Sequence, residues 1–186
     1  MKQYPHKLYI DQTPTAALGA DGNWQVSGEP FNPEIGDEYG GGIIFYLDST
    51  GKHGLVCSLA DISTGIRWYN GSYIETNATL SEIGRGDENT EKIIAAQGIG
   101  NYAASICRMY NGGGYADWVL PTLKDTDMMY ENLHLNGLGN FNTETDYWTS
   151  TENSLLDAFH KPFYGDGVAD YDGKDILYRV RAVREF

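Results

Sequence analysis

The side chains best equipped for covalent chemistry are two cysteines, Cys57 and Cys107, and the histidines His134 and His160. The cysteines have neither CxxC spacing nor a histidine cluster beside them, so zinc ligation and thioredoxin-like exchange are not indicated. Cys57 falls in an apolar strand-like run and Cys107 in a helical one. Both are expected as buried free thiols, with a single disulfide as the alternative. His134 lies near a helix end and His160 in a strand-like run, and neither has a serine or cysteine placed to serve as its nucleophile. Paired carboxylates are abundant but follow no catalytic spacing, so the chain is not expected to be an enzyme.

Metal ligation is the next chemistry to consider. Asp166, Asp170, Asp172 and Asp175 gather hard oxygen donors around Gly167 and Gly173, as a Ca²⁺ loop would. The spacing is not that of an EF-hand, which ends on glutamate. These four are weak candidates, and the expectation is a solvated acidic loop without a cofactor. A binding surface fits the segment better. Along residues 159–164, alternation sends Phe159, Lys161 and Phe163 one way and His160, Pro162 and Tyr164 the other. With the two phenylalanines in the core and the Lys161 stem beside them, Asp157, His160, Tyr164, Asp170, Tyr171 and Asp172 are expected on display as the ligand-binding set. Trp118 and Trp148, flanked by strand residues, are expected in the core.

The elements that must position these residues can be read in chain order. Residues 1–35 form an expected extended arm, with one short strand at Lys7–Ile10 and a turn at Asp21-Gly22-Asn23 ahead of Trp24-Gln25-Val26. Pro30 and Pro33 interrupt regular structure. The domain, residues 36–186, opens with Gly40-Gly41-Gly42 and an apolar run, Ile43 to Leu47. A polar turn from Asp48 to His53 returns the chain through Gly54–Leu59, which makes a β-hairpin. Ile66–Tyr69 reads as a short strand. A helix capped by Thr90 carries Ile93, Ile94, Tyr102, Ile106 and Met109 and is split or bent by Gly98 and Gly100. It stops at Asn111-Gly112-Gly113-Gly114. A second helix starts at Thr122, with Asp125 at the capping-box position, places Leu123, Tyr130 and Leu133 on one face, and ends at Asn136-Gly137. Strands then run from Tyr147 to Glu152 and from Tyr178 to Arg184. Hairpin, helices and further strands in that order make an α+β domain of two helices and short antiparallel sheets.

Composition narrows the partners. The chain has 186 residues and a formal net charge of −13, which opposes binding to nucleic acid or anionic lipid. No apolar stretch reaches signal-peptide or membrane-span length, so membrane insertion is not expected. Aromatic residues make up 13% of the chain, fourteen of them tyrosine, a composition shared by binding surfaces and thin β-rich cores.

Several segments, taken together, are similar to a known family. Ala116-Asp117-Trp118-Val119-Leu120-Pro121-Thr122 with its capped helix, Tyr147-Trp148-Thr149-Ser150-Thr151-Glu152, and Tyr178-Arg179-Val180-Arg181-Ala182-Val183-Arg184 resemble the lectin-like C-terminal domain family of bacterial collagen-like adhesins. Gly36-Asp37, Gly41-Gly42-Ile43-Ile44-Phe45-Tyr46 and the Asp48-to-Gly54 turn complete the pattern, which covers residues 36–186. The resemblance implies a C-type-lectin-like fold. The Glu-Pro-Asn and Trp-Asn-Asp motifs by which many such lectins hold Ca²⁺ and sugar are absent. Oxidising enzymes of the related fold use late paired cysteines, and no cysteine follows Cys107. The Gly-X-Y repeats that precede the domain in collagen-like proteins are also missing from this sequence.

The C-terminus further resembles the variable proteins of diversity-generating retroelements, many of them phage tail adhesins. Their adenine mutagenesis turns asparagine codons into a restricted set, and between Asn153 and Leu177 only Lys161 and Lys174 fall outside it. These resemblances imply a receptor-binding adhesin in a virion tail or at the cell surface, with a bacterial cell-surface protein or glycan as its partner. A homo-oligomer, a trimer among its forms, is expected, with the arm touching a neighbour or a virion protein. The alternatives are a secreted polysaccharide-binding adhesin and a structural virion component.

Overall fold

A computed structural model describes the backbone of Thr15–Leu18 and Trp24–Ser27 and all atoms of residues 32–186. Strands β1 (Thr15–Leu18) and β2 (Trp24–Ser27) pair antiparallel, so the stretch read as an extended arm contains a small two-stranded sheet. The expected strand at Lys7–Ile10 and the turn at residues 21–23 lie outside the described residues.

Two further sheets share the rest of the chain. One is built from β3 (Glu38–Tyr39), β4 (Gly42–Leu47), β5 (Gly54–Ser58) and the terminal β11 (Val183–Glu185), in the order β11-β5-β4-β3. The other combines β6 (Ser63–Ile66), β7 (Asp146–Glu152), β8 (Asp157–Pro162), β9 (Asp170–Gly173) and β10 (Tyr178–Val180), in the order β6-β10-β7-β8-β9. All pairings in both sheets are antiparallel except β10 with β7. With the helices α1 (Gly86–Gln97), α2 (Ala103–Met109) and α3 (Leu123–Asn132), the chain is an α+β domain. The helical run expected to be split or bent at Gly98 and Gly100 is split, into α1 and α2. Gly98, at φ 72°, ends α1, and Gly100 approaches Asn70 too closely for any side chain.

Strand alternation here divides residues between two cores instead of between core and solvent. Ile44, Val56, Trp68, Trp118, Trp148 and Val180 join Ile93 and Cys107 of the helices in one cluster. Ile43, Phe45, Leu55, Cys57, Tyr147 and Phe163 join Met129 and Leu133 of α3 in the other. A strand covered on both faces must be apolar at consecutive positions, which is why Ile43 to Phe45 and Leu55 to Cys57 read as unbroken runs. Both cysteines are buried and free, and burial pushes the Cys57 thiol up to about 11.

Local capping is met at α3 and differs at α1. Thr122 Oγ1 accepts from Asp125 N at 3.1 Å, and Asp125 Oδ2 accepts from Thr122 N at 2.8 Å, a complete capping box. Thr90, by contrast, does not cap its helix, which begins a turn earlier at Gly86. Its buried hydroxyl accepts from Leu120 N at 3.1 Å and ties the helix to the strand-like segment before α3. The strand expected at Ile66–Tyr69 lies earlier, at Ser63–Ile66. Trp68 leaves it to donate from Nε1 to Thr149 O at 2.8 Å, and Trp148 answers with a 2.8 Å bond to Ile66 O. An indole buried on both sides must find such an acceptor, and each strand supplies the other's.

Two measurements follow. Arg181 is 1% exposed and holds Asp61, Ser58 O and Gly139 O. Arg181→Ala is expected to lower unfolding free energy by about 3–5 kcal/mol in a denaturant titration, because those acceptors lose their donors inside the protein. Burial also pushes the Asp125 carboxyl up, to about 6 from an ordinary 3.8, against the amide donors of Gly84 and Thr122. The folded state therefore holds this proton more tightly than the unfolded chain does. The contribution of Asp125 to stability should fall as pH rises from about 4 to about 6 and then level off. Asp125→Asn should abolish that slope in thermal unfolding followed across the same range.

Candidate functional site

The segment read as a binding surface is built on β8 and β9, and the structure sorts its six candidates into three groups. Tyr164, Asp170, Tyr171 and Asp172 are exposed, as expected. Asp157 is half-buried and serves a turn. Its carboxylate accepts from Ser154 Oγ at 3.0 Å, and its carbonyl accepts from the Asn153 and Ser154 amides, which closes the β7–β8 connection. His160 is buried, at 6% exposure, and is not displayed. The correction has a clear cause. β8 lies between β7 and β9, and the face that alternation assigns to solvent packs against Trp148 and Tyr178. Phe159, expected in the core, is half-buried and meets Tyr171 edge-on at 5.9 Å.

His160 sits between two carboxylates. Nδ1 lies 2.9 Å from Asp146 Oδ2, and Nε2 lies 3.5 Å from Asp172 Oδ2 on the opposite side of the ring. The approach to Asp146 is poorly aligned, so His160 Nδ1 and Asp146 Oδ1 are buried without a well-formed hydrogen bond among the described residues. Tyr178 donates its hydroxyl to Asp172 Oδ2 at 2.6 Å and packs its ring 4.7 Å from the imidazole. Burial pushes the Asp146 carboxyl up, but nearby His160 and Tyr164 outweigh it, and the group lies below its ordinary range. The Tyr164 hydroxyl is raised by Asp146, and that of Tyr178 by burial and by Asp172. Asp146 and Tyr178 are thus members of the site that the sequence reading missed. The available signal was register: Asp146 stands two residues before Trp148 on one strand face and diagonal to His160.

Both lysines of the segment are buried and internally paired. Lys161 Nζ binds Asp127 Oδ1 at 2.7 Å and lies over the Tyr130 ring. Lys174 Nζ binds Glu152 Oε1 at 2.6 Å and Leu155 O at 2.9 Å, with Trp68 beneath it. Glu152 in turn receives the amides of Thr76 and Asn77, so the start of the β9–β10 connection is fixed to two other loops. Neither cation reaches the surface. Between Asn153 and Leu177 the exposed residues include no cation: besides Asn153 and Gly165 they are Tyr164, Tyr171, Leu155, Leu156, Val168, Ile176, Leu177, and Asp166, Asp170, Asp172 and Asp175.

The four aspartates weighed for Ca²⁺ are not gathered. Asp166 caps the amide of Val168, Asp170 that of Tyr171, Asp172 receives Tyr178, and Asp175 lies against Tyr73. Among the described residues no group of three or more histidine, cysteine or acidic side chains is placed to hold a metal. No described helix is long and apolar enough to cross a membrane.

No family model matches the chain, and no curated protein does. Among solved structures, the crystal structure of a fimbrial protein from Bacteroides ovatus is similar at 13% identity and a TM-score of 0.48, over 92% of this chain and 48% of that one. The chain thus spans about half the length of that protein.

The two kinds of tyrosine-and-histidine position predict different costs. Tyr171→Ala, at an exposed site, should change unfolding free energy by no more than about 1 kcal/mol. His160→Ala removes a ring held between Trp148, Tyr178 and two carboxylates and should cost about 2–4 kcal/mol. Chemical denaturation of both variants checks the contrast.

Proposed function

We propose that this chain is a receptor-binding module with a C-type-lectin-like fold, and that it engages its partner through the exposed β8–β9 edge, where side chains of both sheet faces reach solvent. One observation carries the reading. Tyr164 and Tyr171 stand exposed beside Asp170 and Asp172 on a strand pair whose two cations are both buried and consumed internally. Rigid tyrosines offer large amphipathic contact at small entropic cost, and carboxylates without a lysine or arginine partner add an electrostatic preference. The framework beneath them is fixed by the Trp68–Trp148 exchange and the Lys174–Glu152 pair, so a contacting surface would lose little order on binding.

The setting that fits the sequence best is the tip of a phage tail. There the module recognises a bacterial surface molecule, and the stretch from Asn153 to Leu177 is the part open to diversification. The net charge of −13 favours a neutral or basic receptor surface over an anionic polysaccharide. A homo-oligomeric arrangement would display several copies of the surface and raise attachment by avidity.

Replacing Tyr164 and Tyr171 together by alanine is expected to abolish attachment to host cells, read as adsorption of labelled protein. Far-ultraviolet circular dichroism and the melting temperature should stay close to those of the parent. Adsorption equal to that of the parent protein would remove the β8–β9 edge as the contact surface.

A further inference from the structure

The outer edge of β9 carries the inference furthest. β9 is the last strand of its sheet, and its register on β8 pairs Asp170 with His160, Tyr171 with Phe159, Asp172 with Ala158 and Gly173 with Asp157. Continuing that register, Lys174 N donates to Leu156 O at 2.8 Å. Antiparallel ladders alternate, so Asp172 and Asp170 also turn their backbone groups toward β8, and Tyr171 and Gly173 turn theirs outward. Phe159 O confirms the phase from the far side, since it faces β7 and accepts from Thr149 Oγ1 at 2.9 Å.

Two of the four outward groups are already occupied. Asp170 Oδ1 accepts from Tyr171 N at 2.9 Å, and Gly173 O accepts from Ile176 N at 3.0 Å. Tyr171 C=O and Gly173 N–H are bonded to no described group. An antiparallel newcomer would need both groups of one residue, and each residue has one of its pair taken. A parallel newcomer places a residue opposite Asp172, donates its N–H to the carbonyl of Tyr171, and accepts from the amide of Gly173. The pair left open is therefore the one that parallel addition uses.

We infer that the partner supplies an extended segment that adds parallel to the edge of β9, with basic residues at alternate positions. This rests on the proposed β8–β9 contact surface and specifies how it is used. Side chains of the added strand that share the Asp170 and Asp172 face meet two carboxylates that have no lysine or arginine partner among the described residues, and those on the other face meet Tyr171 and Phe159. Lysine or arginine alternating with apolar residues satisfies both faces. A second copy of this edge does not, because it would set Asp170 and Asp172 against their own likes. The acidic residues thus act as a filter on the edge: they repel self-association and admit a cationic strand.

The test uses the full chain and three synthetic probes: a six-residue peptide alternating lysine and valine, its glutamate–valine counterpart, and the lysine peptide N-methylated at every second backbone nitrogen. Fluorescence anisotropy should show binding of the lysine peptide alone, at least about tenfold tighter than the N-methylated form. Hydrogen exchange followed by NMR should show the Gly173 amide newly protected in the complex. Equal binding of the N-methylated peptide would reduce the interaction to charge and overturn strand addition. An unprotected Gly173 amide, binding of the glutamate peptide, or no binding of the lysine peptide would overturn it as well. In each of those cases loss of host attachment on substitution of Tyr164 and Tyr171 would still stand by itself, so the two proposals fail separately.

Discussion

One buried guanidinium holds the molecule's pieces in register. Arg181 reaches Asp61 through Nε at 3.0 Å and Nη2 at 2.7 Å, and its Nη1 donates to Ser58 O and Gly139 O. Phe141 lies beneath its plane at 4.4 Å. The loop leaving β5, the loop entering β7 and the link between β10 and β11 all converge on this one side chain. Asp61 also accepts from Tyr147 and Arg179, so its carboxylate is shared among three donors. Burying a charge is costly, and a lysine could not offset that cost here, because one ammonium cannot present planar donors in three directions. The pair therefore fixes a geometry, and the sheets are assembled around it.

From that anchor the two sheets follow. β10 lies between β6 and β7, and β11 beside β5, so the last few residues of the chain join both sheets. Arg184 repeats the device at the other end of this stretch. It forks onto Asp117 at 2.7 and 2.8 Å and stacks on Tyr115, which fixes the segment leading into Val119 and the capped α3. The arginines at 179, 181 and 184 are internal fasteners, each paired with Asp61 or Asp117.

What the sequence disclosed tracks how local each interaction is. The β4–β5 hairpin, the Thr122–Asp125 capping box and the breaks at Gly98 and Gly137 are set by neighbours within a few residues, and all are present. Trp118 and Trp148 are core, as their strand flanks implied. Features that depend on distant partners were not legible. His160 was assigned to solvent by alternation, yet β8 is an inner strand and its second face is covered by residues from β7 and β10. Thr90 looks like a cap in sequence, but it is a mid-helix hydroxyl whose partner, Leu120, lies thirty positions on. Tyr164, Asp170, Tyr171 and Asp172 are exposed, as read, because they sit on or beside an edge strand whose two faces both reach solvent.

The burial of Lys161 and Lys174 has an evolutionary side. Those two side chains anchor the segment to α3 and to Glu152, while the residues between and around them that face solvent contribute little to folding. Stability therefore resides in the buried letters of the stretch, and the exposed letters take little part in it. Such a division lets the exposed letters change without each change testing whether the protein still folds, and it confines the constrained positions to the buried ones, Ala158, His160, Lys161, Phe163, Gly167 and Lys174.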